Sequence, residues 1–303
     1  MRKIGFIDHY LNNFHANCYL EMIRETRHAK DFEVCYAYGE VPYEGVDSAE
    51  WCERNGVQLL DSPAEVVAKS DNVIVLSPNN PERHMALSEE ALKSGKSIYI
   101  DKTFAPDYKT AEKMIAVALE YDTPMFTTSA FRFVPEIQDY VNGLKRERPP
   151  RSIAIRGARS FEVYGVHHIE PLVMMLGQGA QSVYYIGDGD FMSFLVSYPD
   201  VRFGSITQYR VTCNIGDKPY AHPFEASIMF DEGAFSMEFS TDNMFKSLVD
   251  SICSFFLGGA SPAPYEDTLE IMALIDAATR ARSNPGNWID LPQRADLPKS
   301  KPA

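Results

Sequence analysis

Over the first 127 residues, short apolar runs alternate with helical segments, and this alternation leaves few folds open to the chain. The runs are Lys3–Asp8, Phe32–Tyr38, Asn72–Leu76, Ser97–Ile100 and Pro124–Thr127. Between them, residues 13–27, 47–55, 62–69, 81–94 and 107–121 carry helical spacing. Ser62 and Pro63 open one helix as cap and first residue, and Gly95 follows another as its left-handed stop. Asn72–Leu76 shows no polar alternation, as expected of a strand covered on both faces. Strands alternating with crossover helices predict a parallel, doubly wound sheet.

Past a connecting helix expected over 134–147 and a break at Arg148-Pro149-Pro150-Arg151, the pattern changes. Phe224, Ala226, Ile228 and Phe230 alternate with Glu225, Ser227 and Met229, and Phe235, Met237 and Phe239 alternate with Ser236 and Glu238. The residues 231–234 between them, Asp-Glu-Gly-Ala, mark a hairpin. One helix, about 166–177, is inserted among the strands, and two more, about 244–257 and 265–282, close the chain. The polar tail from Pro298 reads as disordered. The expectation is an α/β protein of two domains: residues 1–128 as a doubly wound parallel sheet, and 129–303 as an α+β domain with a largely antiparallel open sheet.

Charge narrows the function classes. A net charge of −13 repels nucleic-acid backbones and anionic membranes, and leaves a small ligand as the expected partner. No apolar run is long enough to span a bilayer, and the opening Met1–Gly5 carries no apolar leader stretch, so the cytoplasm is the expected compartment. Five scattered cysteines form no CxxC pair, which points to free thiols, with Cys35 and Cys253 buried, and to no metal site.

Two strand ends carry polar groups where doubly wound sheets bind ligands, the carboxyl edge. One ends in Ser77-Pro78-Asn79 and is followed by His84. The next ends in Asp101-Lys102. A lysine there can hold a substrate oxygen and tune a proton transfer. It can equally be a solvated partner of Asp101. In the second half, His167 and Glu170 lie at i and i+3 on one helical face, where the carboxylate could orient the imidazole. The plainer alternative has His167 at the helix start and His168 packed on the sheet.

These residues resemble the glucose-fructose oxidoreductase, inositol dehydrogenase and rhizopine-catabolism family (Gfo/Idh/MocA). The resemblance rests on Val73-Ile74-Val75-Leu76-Ser77-Pro78-Asn79, His84, Ala91–Lys96 and Asp101-Lys102-Thr103, with Thr103 standing where the family has proline. It continues through Tyr164-Gly165-Val166-His167-His168-Ile169-Glu170-Pro171-Leu172, where Val163 replaces an acidic residue, and through the closing helices. It implies a Rossmann-type first domain and hydride transfer between a nicotinamide cofactor and a sugar, cyclitol or related polyol. Lys102 would hold the substrate oxygen, His167 would exchange its proton and Glu170 would orient His167. Lys102 and His167 are expected to converge on one pocket at the sheet's carboxyl rim. Arg132, Tyr164 and His168 are candidate substrate contacts. A homodimer or homotetramer through the second sheet is implied as well.

The family's Gly-x-Gly-x-x-Gly is missing. The matching segment reads Asp8-His9-Tyr10-Leu11-Asn12-Asn13, without the glycines that let a backbone approach a diphosphate. The cofactor contacts implied are Asp8, His9, Tyr10, Leu11, Glu40, Ser77, Pro78, Asn79, His84 and Asp101. Glu40 adjoins the usual ribose-binding position at Gly39, and no arginine is expected near that position, which favours NAD over NADP. The alternative reading is a family member that binds a small ligand, or supports a partner subunit, without NAD(P) turnover.

Overall fold

The computed structural model describes residues 1–209, 213–215, 218–220 and 224–292; the expected disordered tail from Pro298 lies outside them. The first stretch folds as β1 (Arg2–Asp8), α1 (Phe14–Glu25), β2 (Phe32–Gly39), α2 (Ser48–Asn55), β3 (Gln58–Leu59), α3 (Pro63–Lys69), β4 (Asn72–Val75), α4 (Pro81–Leu92), β5 (Ile98–Ile100), α5 (Tyr108–Glu120) and β6 (Met125–Phe126). Short polar side chains start several of these helices. Asn13, Asp47, Ser62 and Asp107 each accept from an amide of the following first turn, which satisfies a donor that the helix itself leaves over.

The strands pair in parallel in the order β3-β2-β1-β4-β5-β6. β1 therefore lies between β2 and β4, at the point where the winding reverses. Ile4, Phe6, Ile7, Val73–Leu76 and Ile98–Ile100 are buried, as a sheet covered on both faces requires. Cys253 is buried as expected, whereas Cys35 on β2 is half-buried. Along β2, Cys35 falls on the same face as the exposed Glu33, on the other side of the strand from the buried Val34.

The remaining elements are a 3-10 turn (Ala130–Phe133), α6 (Pro135–Asn142), α7 (Leu144–Glu147), β7 (Ser152–Ala158), α8 (Phe161–Leu176), β8 (Ser182–Gly187), β9 (Phe191–Ser197), β10 (Phe203–Tyr209), β11 (Cys213–Ile215), β12 (Lys218–Tyr220), β13 (Glu225–Phe230), β14 (Gly233–Glu238), α9 (Met244–Phe256), α10 (Tyr265–Arg282) and β15 (Trp288–Asp290). Seven strands form one sheet, β14-β13-β7-β10-β9-β8-β15. Only the central pair β7–β10 is parallel; the other pairs are antiparallel. One face meets α8, with Leu172 seated on Gly204, and builds a core with Ile153, Ile155, Phe194, Val196, Ile206 and Ile228. The other face leaves Leu195, Phe203, Met229 and Trp288 exposed.

Three expectations need correction. The single helix expected over 134–147 is broken into α6 and α7, which part at Gly143, where an added Cβ would stand 2.9 Å from the Asp139 carbonyl oxygen. The helix expected from about 166 begins at Phe161, because the Phe161 ring lies on Gly165 and packs against Phe194. The chain also divides differently from a single cut after residue 128. Among the described residues, one compact unit comprises Met1–Thr128 with Phe245–Tyr265, and a second comprises Ser129–Met244 with residues 266–292. The apolar face of α9 accounts for this: Phe245 meets His15 and Tyr19, Phe255 meets Phe126, and Phe256 meets Phe32. Among the described residues no helix is long and apolar enough to cross a membrane.

Candidate functional site

At the end of β5, Asp101 is fully buried and surrounded by donors. Its Oδ2 meets His15 Nδ1 at 2.5 Å, and its Oδ1 accepts from Tyr99 at 3.2 Å, Tyr19 at 3.3 Å and the Lys102 amide at 2.9 Å. Burial alone would raise its pKa, but His15, by charge and hydrogen bond, and Lys102, by charge and its amide, hold it below the ordinary carboxylate value. Lys102 is buried too, and its Nζ donates to the Pro78 carbonyl at 3.0 Å. Desolvation lowers its pKa, and the nearby Asp101 only partly offsets that. The Lys102–Thr103 peptide is cis. His84 lies inside the fold, with Nδ1 at 3.0 Å from the Phe104 carbonyl and Nε2 on that of Leu76; burial lowers its pKa. Ser77 is buried in the left-handed region, φ 73°, and its hydroxyl donates to the Asn80 carbonyl.

The segment after β1 turns inward. Asp8, Tyr10, Leu11 and Asn13 are all buried. Asn13 Nδ2 donates to Asp8 Oδ2 at 2.7 Å and to the Tyr10 carbonyl at 2.6 Å, while its Oδ1 caps the Ala16 amide. Burial pushes the Asp8 carboxyl up to about 8, against the pull of Asn13 and the backbone amides, so it is mostly neutral at pH 7. The Tyr10 ring stacks on Tyr43, with centroids 4.3 Å apart and 12° between planes, and its hydroxyl accepts from Asn79 at 3.5 Å. Leu11 occupies the space beside Gly39. Glu40 is held by His9 Nδ1 at 2.8 Å and by both arms of Arg83, Nε at 2.9 Å. Arg83 and His9 keep the Glu40 carboxyl below its ordinary pKa, although burial opposes them. The expectation that no arginine lies near Glu40 is therefore corrected. Arg83 is 43 residues away in sequence, and α4 delivers it to that point.

In the second unit, the His167 Nδ1 and the Ser129 Oγ are 2.6 Å apart. The Ser129 amide donates to Glu170 Oε2 at 2.6 Å, and Arg132 Nε donates to Glu170 Oε1 at 2.6 Å. Arg132 also reaches Asp267 at 3.4 Å. Glu170 is thus linked to His167 through Ser129, and Arg132 is engaged with two carboxylates. The rings of Phe131 and Tyr164 flank His167 at 5.1 and 5.0 Å. His168 is fully buried against Phe224, its Nδ1 on the Tyr164 carbonyl, and burial pushes its pKa down to about 4. Sequence reading missed His15, Arg83 and Ser129. A histidine in the first turn of α1 was the one available signal; the other two have none in sequence. Among the described residues no cluster of three or more metal-binding side chains forms.

A doubly wound parallel sheet with a polar carboxyl edge, followed by an α+β unit, defines a protein of the Rossmann-fold class. Residues 21–128 match the family model described as an oxidoreductase family with an NAD-binding Rossmann fold, GFO_IDH_MocA, the family that the sequence motifs resemble. The match begins past the segment where the glycines would stand. The fold is similar to that of a probable dehydrogenase from Thermotoga maritima (15% identity, 95% of this chain and 98% of that one, TM-score 0.78). It is also similar to the WlbA dehydrogenase from Bordetella pertussis in complex with NADH and UDP-GlcNAcA (14%, 97% and 99%, 0.77) and to scyllo-inositol dehydrogenase from Lactobacillus casei (15%, 96% and 98%, 0.77). No curated protein matches the chain by sequence.

The family's cofactor does not fit the residues present at this edge. A dinucleotide needs open backbone at the end of β1 and helix amides turned toward its diphosphate. Here Tyr10 and Leu11 take that space, Asn13 takes the Ala16 amide, and Glu40 is bound by His9 and Arg83.

Proposed function

We propose that the chain binds a sugar, cyclitol or related polyol through the proton-handling groups of its family and does not turn over NAD or NADP. Lys102 donates to a ligand oxygen, and His167 exchanges the proton of a ligand hydroxyl. The reading is carried by Lys102: a buried ammonium with a lowered pKa, anchored through its backbone on Asp101 at a sheet edge whose dinucleotide path is filled. Such a group is a strong donor to a neutral oxygen and is poised to give up a proton. The roles of Lys102 and His167 on one ligand come from the family motifs that both match. Ser129, Glu170 and Arg132 form the support that holds His167. The exposed apolar positions of the second sheet, Leu195, Phe203, Met229 and Trp288, suit association of two or four copies, which light scattering on the purified protein would measure.

A second reading is a dehydrogenase of the same substrates using NAD or NADP. Retention of Lys102 and His167 favours it. Thermal melting against a panel of hexoses, cyclitols and hexitols tests the first reading, because a ligand of the native state raises the melting temperature. At least one polyol is expected to raise it, and Lys102→Ala and His167→Ala are each expected to abolish the rise. A panel without effect overturns the proposal. Polyol-dependent reduction of NAD, seen as new absorbance of the reduced nicotinamide, would establish the second reading instead.

A further inference from the structure

We infer that the carboxyl edge above β1 is closed by the chain's own side chains, so that this Rossmann unit binds no dinucleotide. The inference goes beyond the polyol reading and does not depend on which ligand is bound.

Two separate bridges cross the end of β1. In the sheet order, β1 has β2 on one side and β4 on the other. Tyr10, two residues past β1, stacks on Tyr43 from the segment after β2 and accepts from Asn79 in the segment after β4. Arg83, on the helix after β4, forks onto Glu40, immediately after β2, and His9 completes that cluster. One bridge is aromatic and the other ionic, and both span the neighbours between which a dinucleotide would lie.

The backbone beneath is also committed. The His9 carbonyl accepts from the Val41 amide at 2.9 Å and from the Glu40 amide at 3.0 Å. The Tyr10 amide donates to Asp8 and the Ala16 amide to Asn13. In a dinucleotide site such amides face phosphate oxygens. The glycines are replaced by residues that pair with one another: Asp8 with Asn13, Tyr10 with Tyr43, Leu11 with the Cα face of Gly39.

The test uses the purified full chain with NAD, NADH, NADP and NADPH, by thermal melting and titration calorimetry. A dinucleotide with a Kd of about 10 µM, supplied at about 1 mM, would raise the melting temperature by several degrees. No rise and no saturating heat is expected with any of the four. A reproducible rise above about 1 °C, or a saturable heat, overturns the inference, as does NAD or NADP released when the purified chain is denatured. Hydrogen exchange supplies an independent readout. The amides of Tyr10, Ala16, Glu40 and Val41 are expected to be protected in the free protein, and exchange of all four at the rate of an unstructured loop would also overturn it. A polyol response with no dinucleotide response supports both proposals. A dinucleotide response together with a polyol response would sink this inference and the filled path on which the no-turnover reading rests, while leaving the polyol site in place.

Discussion

His15 and Asp101 stand 86 residues apart in sequence and 2.5 Å apart in space, imidazole Nδ1 on carboxylate Oδ2. The contact ties the first turn of α1 to the end of β5 and so fixes the backbone from which Lys102 extends. Removing it leaves a fully buried carboxylate short of one partner. His15→Ala is expected to cost about 2–4 kcal/mol. A double-mutant cycle with Asp101→Asn, read by urea unfolding, should give a coupling above about 1 kcal/mol. Additive losses would show that the two side chains do not act as a pair.

Asp8 makes stability depend on pH in a defined direction. Its folded pKa, about 8, lies above that of an unfolded aspartate. Between those values the folded chain holds a proton that the unfolded chain has lost, so stability is complete at the acid end and falls as pH rises toward 8. Each pH unit of that window removes up to about 1.4 kcal/mol. Urea unfolding from about pH 5 to about pH 8 should show this decline in the wild type and a flatter profile in Asp8→Asn. Parallel profiles would mean that Asp8 is ionised in the native state.

Lys102 is held where burial disfavours its charge. Lys102→Met keeps the length and removes the desolvated ammonium, so the variant should unfold within about 1 kcal/mol of the wild type or above it. Its melting temperature should no longer respond to the polyol that stabilises the wild type. A large loss of stability would make Lys102 a structural residue; an intact polyol response would remove it from the site.

Periodicity alone was enough to read the alternating strands and helices of the first unit and the hairpin Glu225–Glu238, because a buried strand and an amphipathic hairpin announce themselves locally. Lys102 and Asp101 were legible as a strand end at the carboxyl edge. The loss of the glycines was legible too, but not its consequence. Tyr10 reaches Tyr43, and Arg83 reaches Glu40, only once the sheet order brings the segments after β2 and β4 beside β1. The early start of α8 escaped because it depends on a ring, Phe161, lying on a glycine one turn later. The return of α9 to the first unit escaped because an apolar helix face does not name the sheet it will cover.

Ser129 connects two groups that sequence spacing had joined directly. Its hydroxyl meets His167 Nδ1, and its amide donates to Glu170, which in turn holds Arg132. The arrangement makes Ser129 a positioning residue for the imidazole and makes Glu170 the anchor of the whole group. Ser129→Ala removes one hydroxyl and should cost about 1–2 kcal/mol. Glu170→Gln takes the buried carboxylate from a buried guanidinium and should cost more, about 2–4 kcal/mol, moderated by Asp267. A structural role would end there. Positioning predicts in addition that the pH midpoint of the polyol-induced thermal shift moves in Ser129→Ala, because the hydroxyl bears on one imidazole nitrogen and so on the protonation of the other. An unmoved midpoint, with the stability loss as stated, would leave Ser129 a packing residue and return the orientation of His167 to its aromatic neighbours Phe131 and Tyr164.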